Sequence, residues 1–123
     1  MFLLPPPEAR GEHTRTTLLP DPAVVASALR ATRYAADVER IADEILRHRF
    51  PILGVTIDTG PEIDWRRDYL HGIRTGTPYF RRSPYLDFAQ AGDHKVIWEL
   101  NRHQHLVLLA QAFLFSGRRE FLD

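Results

Sequence analysis

The feature that most constrains the fold of this chain is a long apolar helix pattern near its end. Residues 94–115 are predicted to be helical, Asp93 supplies the N-cap, and Gly117 is a natural residue to follow the last turn. Apolar positions fall on both sides of this helix: Val96, Leu100, Val107, Leu114, Trp98, Leu109 and Phe113. A helix with two apolar sides needs neighbours on both sides. Three helices of the size predicted here cannot supply them.

Two shorter helices precede it. Asp21 and Pro22 are a typical N-cap and first helical residue, and they begin a helix that ends at about residue 32. An apolar stripe predicts a second helix over residues 35–49, which Pro51 ends.

The middle of the chain shows little regular pattern. Residues 52–57 are predicted to form one short strand, for which the sequence offers no partner strand. Residues 58–92 are irregular but rich in aromatic side chains, which indicates a loop packed against helices and not a disordered segment. The predicted fold class is therefore all-α with a long aromatic-rich loop.

The length allows one domain at most. Residues 1–20 are rich in proline and lack periodicity, so we predict a poorly ordered lead-in, followed by a domain over residues 21–123. The first residues lack a basic region, and three prolines interrupt them before an apolar core can form, so no signal peptide is predicted.

Composition excludes several classes of function. Lys plus Arg is 16 and Asp plus Glu is 16, so there is no basic excess to indicate a nucleic-acid partner. No apolar run approaches the roughly 20 residues that span a bilayer, so no membrane partner is predicted. Cysteine is absent, which excludes disulfides and thiolate chemistry. Neither a dinucleotide-binding nor a phosphate-binding glycine motif occurs, and no cofactor is predicted.

One face of the last helix combines groups that suit a sugar acid. At about 100° per residue, Trp98, Asn101, Arg102 and His105 share that face. An aromatic ring can stack on a sugar, an arginine can bind its carboxylate, and an amide can pair with its hydroxyl groups. Alternatively, these polar groups tie a buried helix to loop carbonyls, and we expect that structural role for Arg102 in particular.

Two other kinds of site have weaker support. His103 and His105 are two residues apart and would point about 200° apart on one helix, so no metal site is predicted there. The loop carboxylates could serve an acid–base hydrolase, although neighbouring arginines favour a role in salt bridges. Those carboxylates are Asp58, Glu62, Asp64 and Asp68.

Two motifs carry a resemblance to a known family. The first is the D-W-x-x-D loop at residues 64–68, and the second is the W-E-L-N-R-x-x-x-L-x-x-L-A-x-A helix that begins at Trp98. With the region over residues 35–123, they resemble the N-terminal domain of the heparinase II/III-like polysaccharide lyases. Trp65, in the first motif, joins the substrate-binding candidates.

The resemblance implies the first helical hairpins of an incomplete α/α toroid, continued in complete members by further helices and a β-sandwich domain. Such enzymes cleave uronic-acid-containing polysaccharides by β-elimination, with a Tyr or His base and an Asn or His that neutralises the carboxylate. No residue here matches those catalytic groups, and the family's metal belongs to the β-sandwich domain.

The leading hypothesis is therefore a fragment that supplies scaffold, and one wall of the cleft, to a lyase acting on heparin-like, heparan-sulfate-like or alginate-like polysaccharide. We expect this chain alone to be inactive. The resemblance implies a periplasmic or secreted protein, whereas the missing signal peptide leaves the cytoplasm open. The alternative is a non-catalytic helical module that binds a saccharide or a protein.

Overall fold

The computed structural model describes residues 20–123, apart from the side chain of Phe80. The lead-in predicted for residues 1–20 lies outside the described residues except for Pro20. The α-helices are α1 Pro22–Leu29, α2 Arg33–Leu46, α3 Phe88–Ala91, α4 His94–Asn101 and α5 Gln104–Ser116. The strands are β1 Arg49–Ile52, β2 Val55–Asp58, β3 Arg67–Asp68 and β4 Ile73–Arg74. Two 3₁₀ turns occupy Phe80–Arg82 and Arg119–Phe121.

The fold is mixed α/β, so the predicted all-α class is wrong. About 50% of the structure is helical, and the strands form two small antiparallel hairpins, β1 with β2 and β3 with β4. The prediction of helical hairpins from an incomplete α/α toroid is therefore also wrong. The sequence pattern misses both hairpins because each strand has only two to four residues, too few to show an alternating pattern.

Helix α1 begins where its capping residue predicts, whereas α2 begins at Arg33, two residues before the predicted start. Asp21 accepts a hydrogen bond of 2.8 Å from the Ala23 N–H and caps α1, with Pro22 as the first helical residue. Thr32 caps α2. Helix α2 ends three residues earlier than predicted because His48 adopts a left-handed φ of 58° and the chain turns into β1.

The first hairpin replaces the single strand predicted over residues 52–57. Its strands pair from Arg49 opposite Asp58 to Ile52 opposite Val55. Leu53 and Gly54 link them with φ angles of 51° and 82°. Two successive residues with positive φ make the type of turn that matches the twist of a two-stranded ribbon. The chain therefore reverses inside the predicted strand.

We expect Leu53→Asn to stabilise the protein. Leu53 is 49% exposed, so the substitution removes little packing, and asparagine tolerates the left-handed conformation that leucine adopts at a cost. The free energy of unfolding should rise by about 1 kcal/mol in urea denaturation. Valine tolerates positive φ even less than leucine does, so Leu53→Val should lower the free energy of unfolding. A loss of stability in the asparagine variant would contradict the turn geometry.

The long helix predicted over residues 94–115 is two helices. Asp93 caps α4 and Gly117, with φ 75°, ends α5, so both predicted boundaries are confirmed. Between the helices His103 adopts a left-handed φ of 55°, and the prediction of one continuous helix is wrong. The break lets α4 pack against the hairpins while α5 packs against α2.

The apolar residues form two clusters. The first joins α1, α2 and α5 through Ala26, Ala35, Val38, Ala42, Ala112, Phe115 and Phe121. The second joins the end of α2, the first hairpin and α4 through Ile45, Phe50, Ile52, Ile57, Val96 and Leu100. Leu109 packs against both. Across residues 20–123, every helix is too short or too polar to cross a membrane.

Candidate functional site

An open cleft of about 380 Å³ lies between helix α4 and the segment that contains the second hairpin. The aromatic and polar side chains that line it include Trp65, Arg66, Thr75, Tyr85, His94, Trp98 and Asn101. Both tryptophans of the chain are among them. Among the described lining residues, Arg66 alone carries a permanent charge. The cleft is therefore aromatic and positively charged at one point.

Helix α4 holds Trp98 in the cleft by its contact with His94. The two residues are one helical turn apart, and their rings meet edge to face with centroids 5.8 Å apart. Tyr85 makes a similar edge-to-face contact with His94, and the two ring centroids are 5.7 Å apart. Trp98 remains 56% exposed, so much of its ring is open to a ligand.

Trp65 is held in place from two directions. The Asn101 side-chain amide donates hydrogen bonds to the carbonyl oxygens of Trp65 (2.6 Å) and Ile97 (2.8 Å). The Trp65 ring also contacts His103 edge to face at 5.1 Å and stacks on His105 at 5.9 Å. Asn101 therefore positions the loop that carries Trp65, and the histidines fix the ring.

Asp64 organises the turn that carries Arg66. Its carboxylate accepts hydrogen bonds from the Arg66 N–H (3.1 Å) and from Nε of Arg74 (2.6 Å). Its own N–H donates to the Tyr69 hydroxyl over 2.7 Å. Burial by itself would raise the pKa of Asp64. The hydrogen bonds that its carboxylate accepts from Arg74 and Arg66, together with the charges of both arginines, lower the pKa overall. Asp64 is therefore an ionised structural group at neutral pH.

Three of the four carboxylates considered for a hydrolase accept hydrogen bonds that hold loops together. Asp58 accepts a hydrogen bond of 2.9 Å from the Gly60 N–H. The Asp68 side chain is fully buried and accepts hydrogen bonds from main-chain N–H groups of Leu70 and Asp93. Asp68, like Asp64, has a lowered pKa, although burial by itself would raise it. An acid–base pair needs one carboxyl group with a raised pKa, and neither of these two has one.

The cleft brings together three of the five predicted substrate-binding candidates, namely Trp65, Trp98 and Asn101. The other two, Arg102 and His105, do not line it. The predicted common face required a continuous helix, and the break between α4 and α5 separates its two ends. His105 lies instead beside Phe50, with ring centroids 5.1 Å apart.

The break also changes the relation between the two neighbouring histidines. The imidazole centroids of His103 and His105 are 5.5 Å apart, so the prediction that they point in opposite directions is wrong. Burial, followed by the charge of His103, lowers the pKa of His105. Within residues 20–123 no group of three or more His, Asp or Glu side chains is arranged to hold a metal ion.

Arg102 does not have the buried structural role expected of it. Its side chain is 60% exposed and forms an ion pair of 3.3 Å with Glu99 in the last turn of α4, which Arg102 directly follows. Exposed ion pairs at this spacing contribute little to the free energy of unfolding. We expect Arg102→Ala to change the free energy of unfolding by no more than about 0.5 kcal/mol in thermal or urea denaturation. A larger loss would mean that Arg102 has a partner beyond Glu99.

The sequence interpretation overlooked four groups in the cleft, Arg66, Thr75, Tyr85 and His94. His94 could have been found, because it lies four residues before Trp98 and seven before Asn101, on one face of α4. Thr75 and Arg66 carry no such signal. They meet because the Thr75 N–H donates to the Arg66 carbonyl oxygen over 2.9 Å, just beyond the second hairpin.

We compared the chain with known proteins. No protein-family model, no curated protein and no solved structure matches the chain.

Proposed function

We propose that this chain is the opening segment of a polysaccharide lyase that acts by β-elimination on a uronic-acid-containing polysaccharide of the heparin, heparan sulfate or alginate type. In this proposal it supplies scaffold and one wall of the sugar-binding cleft. The catalytic base and the group that neutralises the carboxylate belong to other parts of the enzyme, which include the β-sandwich domain. The enzyme works in the periplasm or outside the cell.

The observation that carries the proposal is the composition of the cleft. Trp65 and Trp98 both line it, and Arg66 supplies its positive charge. Indole rings bind the apolar faces of pyranose rings, and a guanidinium forms charge-assisted hydrogen bonds with a carboxylate. A uronic acid presents both of these features in one residue.

The two motifs that carry the family resemblance support the proposal because they meet at this cleft. The loop motif contributes Trp65, and the helix motif contributes Trp98 and Asn101. The hydrogen bond from the Asn101 side chain to the Trp65 carbonyl oxygen joins them directly. Two segments more than 30 residues apart in the chain thus build one side of a single binding surface.

β-Elimination places specific demands on an active site. A base must remove the proton beside the carboxylate, and a donor must stabilise the negative charge that develops on it. A cleft wall contributes by holding the sugar ring in a fixed orientation relative to those groups. Trp98 and Trp65 would perform this positioning, with Arg66 at the carboxylate.

Binding to the isolated chain tests this proposal. Because the only two tryptophans of the sequence lie in the cleft, intrinsic fluorescence reports on it selectively. We expect oligosaccharides of heparan sulfate or alginate to quench or shift the emission, and neutral glucans to do so more weakly. Trp98→Ala should reduce the affinity about tenfold, measured by calorimetry, because the stacking surface is lost.

Arg40→Ala is the matched control, because Arg40 is an exposed arginine of α2 that pairs only with Asp37 in the described contacts. It should leave the affinity unchanged. A loss of affinity in Arg40→Ala comparable to that in Trp98→Ala would indicate that general attraction of arginines to a polyanion contributes to binding. Release of unsaturated product by this chain alone, detected by ultraviolet absorbance, would overturn the assignment of the base to other parts of the enzyme.

A further inference from the structure

Four rings meet where helices α4 and α5 join. Trp65 stacks on His105 with ring centroids 5.9 Å apart and contacts His103 edge to face at 5.1 Å. The two imidazoles contact each other at 5.5 Å, and Phe50 of β1 contacts His105 at 5.1 Å. One of the two tryptophans of the cleft is therefore supported by two side chains of the type that gains charge between about pH 8 and pH 5.

The two histidines differ in their access to water. His103 is exposed and is the left-handed residue between the helices, with φ 55°. His105 is half-buried and is the second residue of α5. A proton on His103 stays in contact with water, whereas a proton on His105 places a charge where hydration is incomplete. His105 is therefore the member of the pair whose protonation the packed arrangement resists.

Three conditions oppose a positive charge on His105. Burial, followed by the charge of His103, lowers the pKa of His105. The first turn of a helix also carries partial positive charge, and α5 begins one residue before His105. One interaction favours the charge, because the face of Trp65 attracts a cation, but the centroid distance of 5.9 Å lies at the limit of the range of that attraction.

The charged groups on the elements packed around the pair have partners among themselves. Glu99 of α4 lines the same small cavity as His105, but it forms an ion pair with Arg102. Beside Trp65 lie the carboxylate of Asp64, which pairs with Arg74, and the positively charged Arg66. Arg49, next to Phe50 in β1, pairs with Glu44. Among the described residues, no carboxylate without another cationic partner compensates a proton on His105.

This balance makes the packing of His105 depend on pH. A histidine whose pKa is lowered by packing stabilises the packed state fully above its ordinary pKa of about 6.5, and this stability falls as the pH drops below that value. Opening the contact returns His105 to water and away from His103. Trp65, which packs against both imidazoles, then loses the support of its ring.

We propose that His103 and His105 form a pH-sensitive support for Trp65, which holds the indole in the cleft wall while both imidazoles are neutral and releases it when His105 is protonated. The inference concerns regulation of the cleft, and its consequence for ligand binding rests on the proposed function. In mildly acidic solution the cleft keeps Trp98 but loses Trp65 as a fixed surface, so it binds a saccharide less tightly.

The fluorescence of Trp65 tests the support without any ligand. Trp98→Phe leaves Trp65 as the only tryptophan of the chain. Between about pH 8 and pH 5, we expect its emission maximum to move to longer wavelength and its quenching by acrylamide to increase about twofold, with a midpoint below about pH 6.5. The far-ultraviolet circular dichroism should stay constant over this range.

Two outcomes of this titration would overturn the inference. A fall in intensity with an unchanged emission maximum would mean that a charged imidazole stays packed against Trp65. Loss of the circular-dichroism signal with the same midpoint would mean that the whole chain unfolds and that no local release occurs.

Variants of the two histidines assign the effect. His105→Phe keeps a flat ring without a charge, so the emission of Trp65 should no longer depend on pH. Asparagine tolerates the left-handed conformation of His103 and removes its charge. In His103→Asn the imidazole of His105, followed by NMR, should therefore titrate at higher pH. His48→Asn is the matched control, because His48 is also left-handed, with φ 58°, but contacts the Gly60 carbonyl oxygen. An equal change in His48→Asn would contradict the assignment.

Calorimetry separates this inference from the proposed function. Because His94 also lines the cleft, wild type and His105→Phe are compared at the same pH, which cancels the protonation of His94. Between about pH 7.5 and pH 5, the affinity of wild type for a heparan sulfate oligosaccharide should fall about tenfold relative to that of His105→Phe. If the emission of Trp65 shifts as expected but no heparan sulfate or alginate oligosaccharide binds, the proposed function fails and the support stands. If one binds with a ratio of affinities independent of pH, the proposed function stands and the regulation fails.

Discussion

Replacing Gly92 with alanine is expected to destabilise the protein by at least about 3 kcal/mol, a large fraction of the stability of a typical domain. Gly92 has φ 66° and ψ −163°, a conformation that is essentially restricted to glycine. A Cβ atom there would also lie 2.8 Å from both Cβ and Oδ2 of Asp68 and 3.2 Å from Cβ of Ile73. Strain and steric overlap therefore act together at a buried position.

Gly76→Ala is the matched control for this prediction. Gly76 follows the same hairpin, but its φ is not in the left-handed region, and a Cβ would meet only the ring of Pro78 at 3.6 Å. The change should alter stability by less than about 0.5 kcal/mol. Circular-dichroism melting of both variants measures the difference. A Gly92→Ala protein that melts with the wild type would contradict the close approach to Asp68.

Asp68→Asn is expected to cost about 2–4 kcal/mol at neutral pH, through loss of acceptors in the interior. Asp68 Oδ1 accepts from the N–H groups of Leu70 (3.0 Å) and His71 (3.2 Å). Oδ2 accepts from the Asp93 N–H and from Nδ1 of His71, each at 2.7 Å. The amide nitrogen of asparagine would face one of these pairs of donors.

The same variant should alter the response to acid. Burial by itself would raise the pKa of Asp68, but the hydrogen bonds from Asp93, His71 and Leu70 outweigh it and lower the pKa overall. A carboxyl group with a lowered pKa in the folded state adds stability above its unfolded pKa of about 3.9, and that stability is lost as the pH falls through the folded pKa. The Asp68 contribution to acid destabilisation should therefore vanish in Asp68→Asn.

Urea denaturation at several values between about pH 5 and pH 2 measures this difference. Asp58→Asn is the control, because Asp58 is exposed and accepts one main-chain hydrogen bond that an asparagine oxygen can also accept. It should leave both the neutral stability and the acid profile nearly unchanged. Parallel profiles for wild type and Asp68→Asn would refute the role of Asp68 as a buried ionised anchor.

Local signals in the sequence predicted three of the helix ends correctly. Asp21, Asp93 and Gly117 each act within one turn of their own position, so no knowledge of the rest of the fold is needed to interpret them. The amphipathic stripe of α2 is equally local, and it includes three buried residues of that helix, Val38, Ala42 and Ile45.

Reversals of the chain set by left-handed residues could not be predicted in the same way. A leucine such as Leu53 rarely adopts positive φ, and although histidine does so more often, one histidine in an apolar helical pattern, such as His103, does not indicate a break. The surroundings impose it: β1 and β2 must pair, and α4 must turn so that it packs on the hairpins while α5 reaches α2. Both incorrect predictions, the single strand and the continuous helix, come from these residues.

The candidate site was predictable in part for the same physical reason. Trp98 and Asn101 belong to one helix, so helical periodicity relates them correctly. Arg102 and His105 lie at and beyond the break, where that periodicity no longer applies. Thr75 reaches the cleft through the second hairpin, whose two-residue strands have no recognisable pattern.

The division of the apolar residues into two clusters has a consequence for local opening. Most buried residues of α2 share one cluster with α5, and α4 shares the other with the first hairpin and Ile45 of α2, while Leu109 packs against both. Amide hydrogens of α2 and α5 should therefore exchange with solvent as one cooperative group, and those of α4 as another. The cleft lies on α4, so a bound ligand should slow exchange in α4 and the first hairpin more than in the α2–α5 pair.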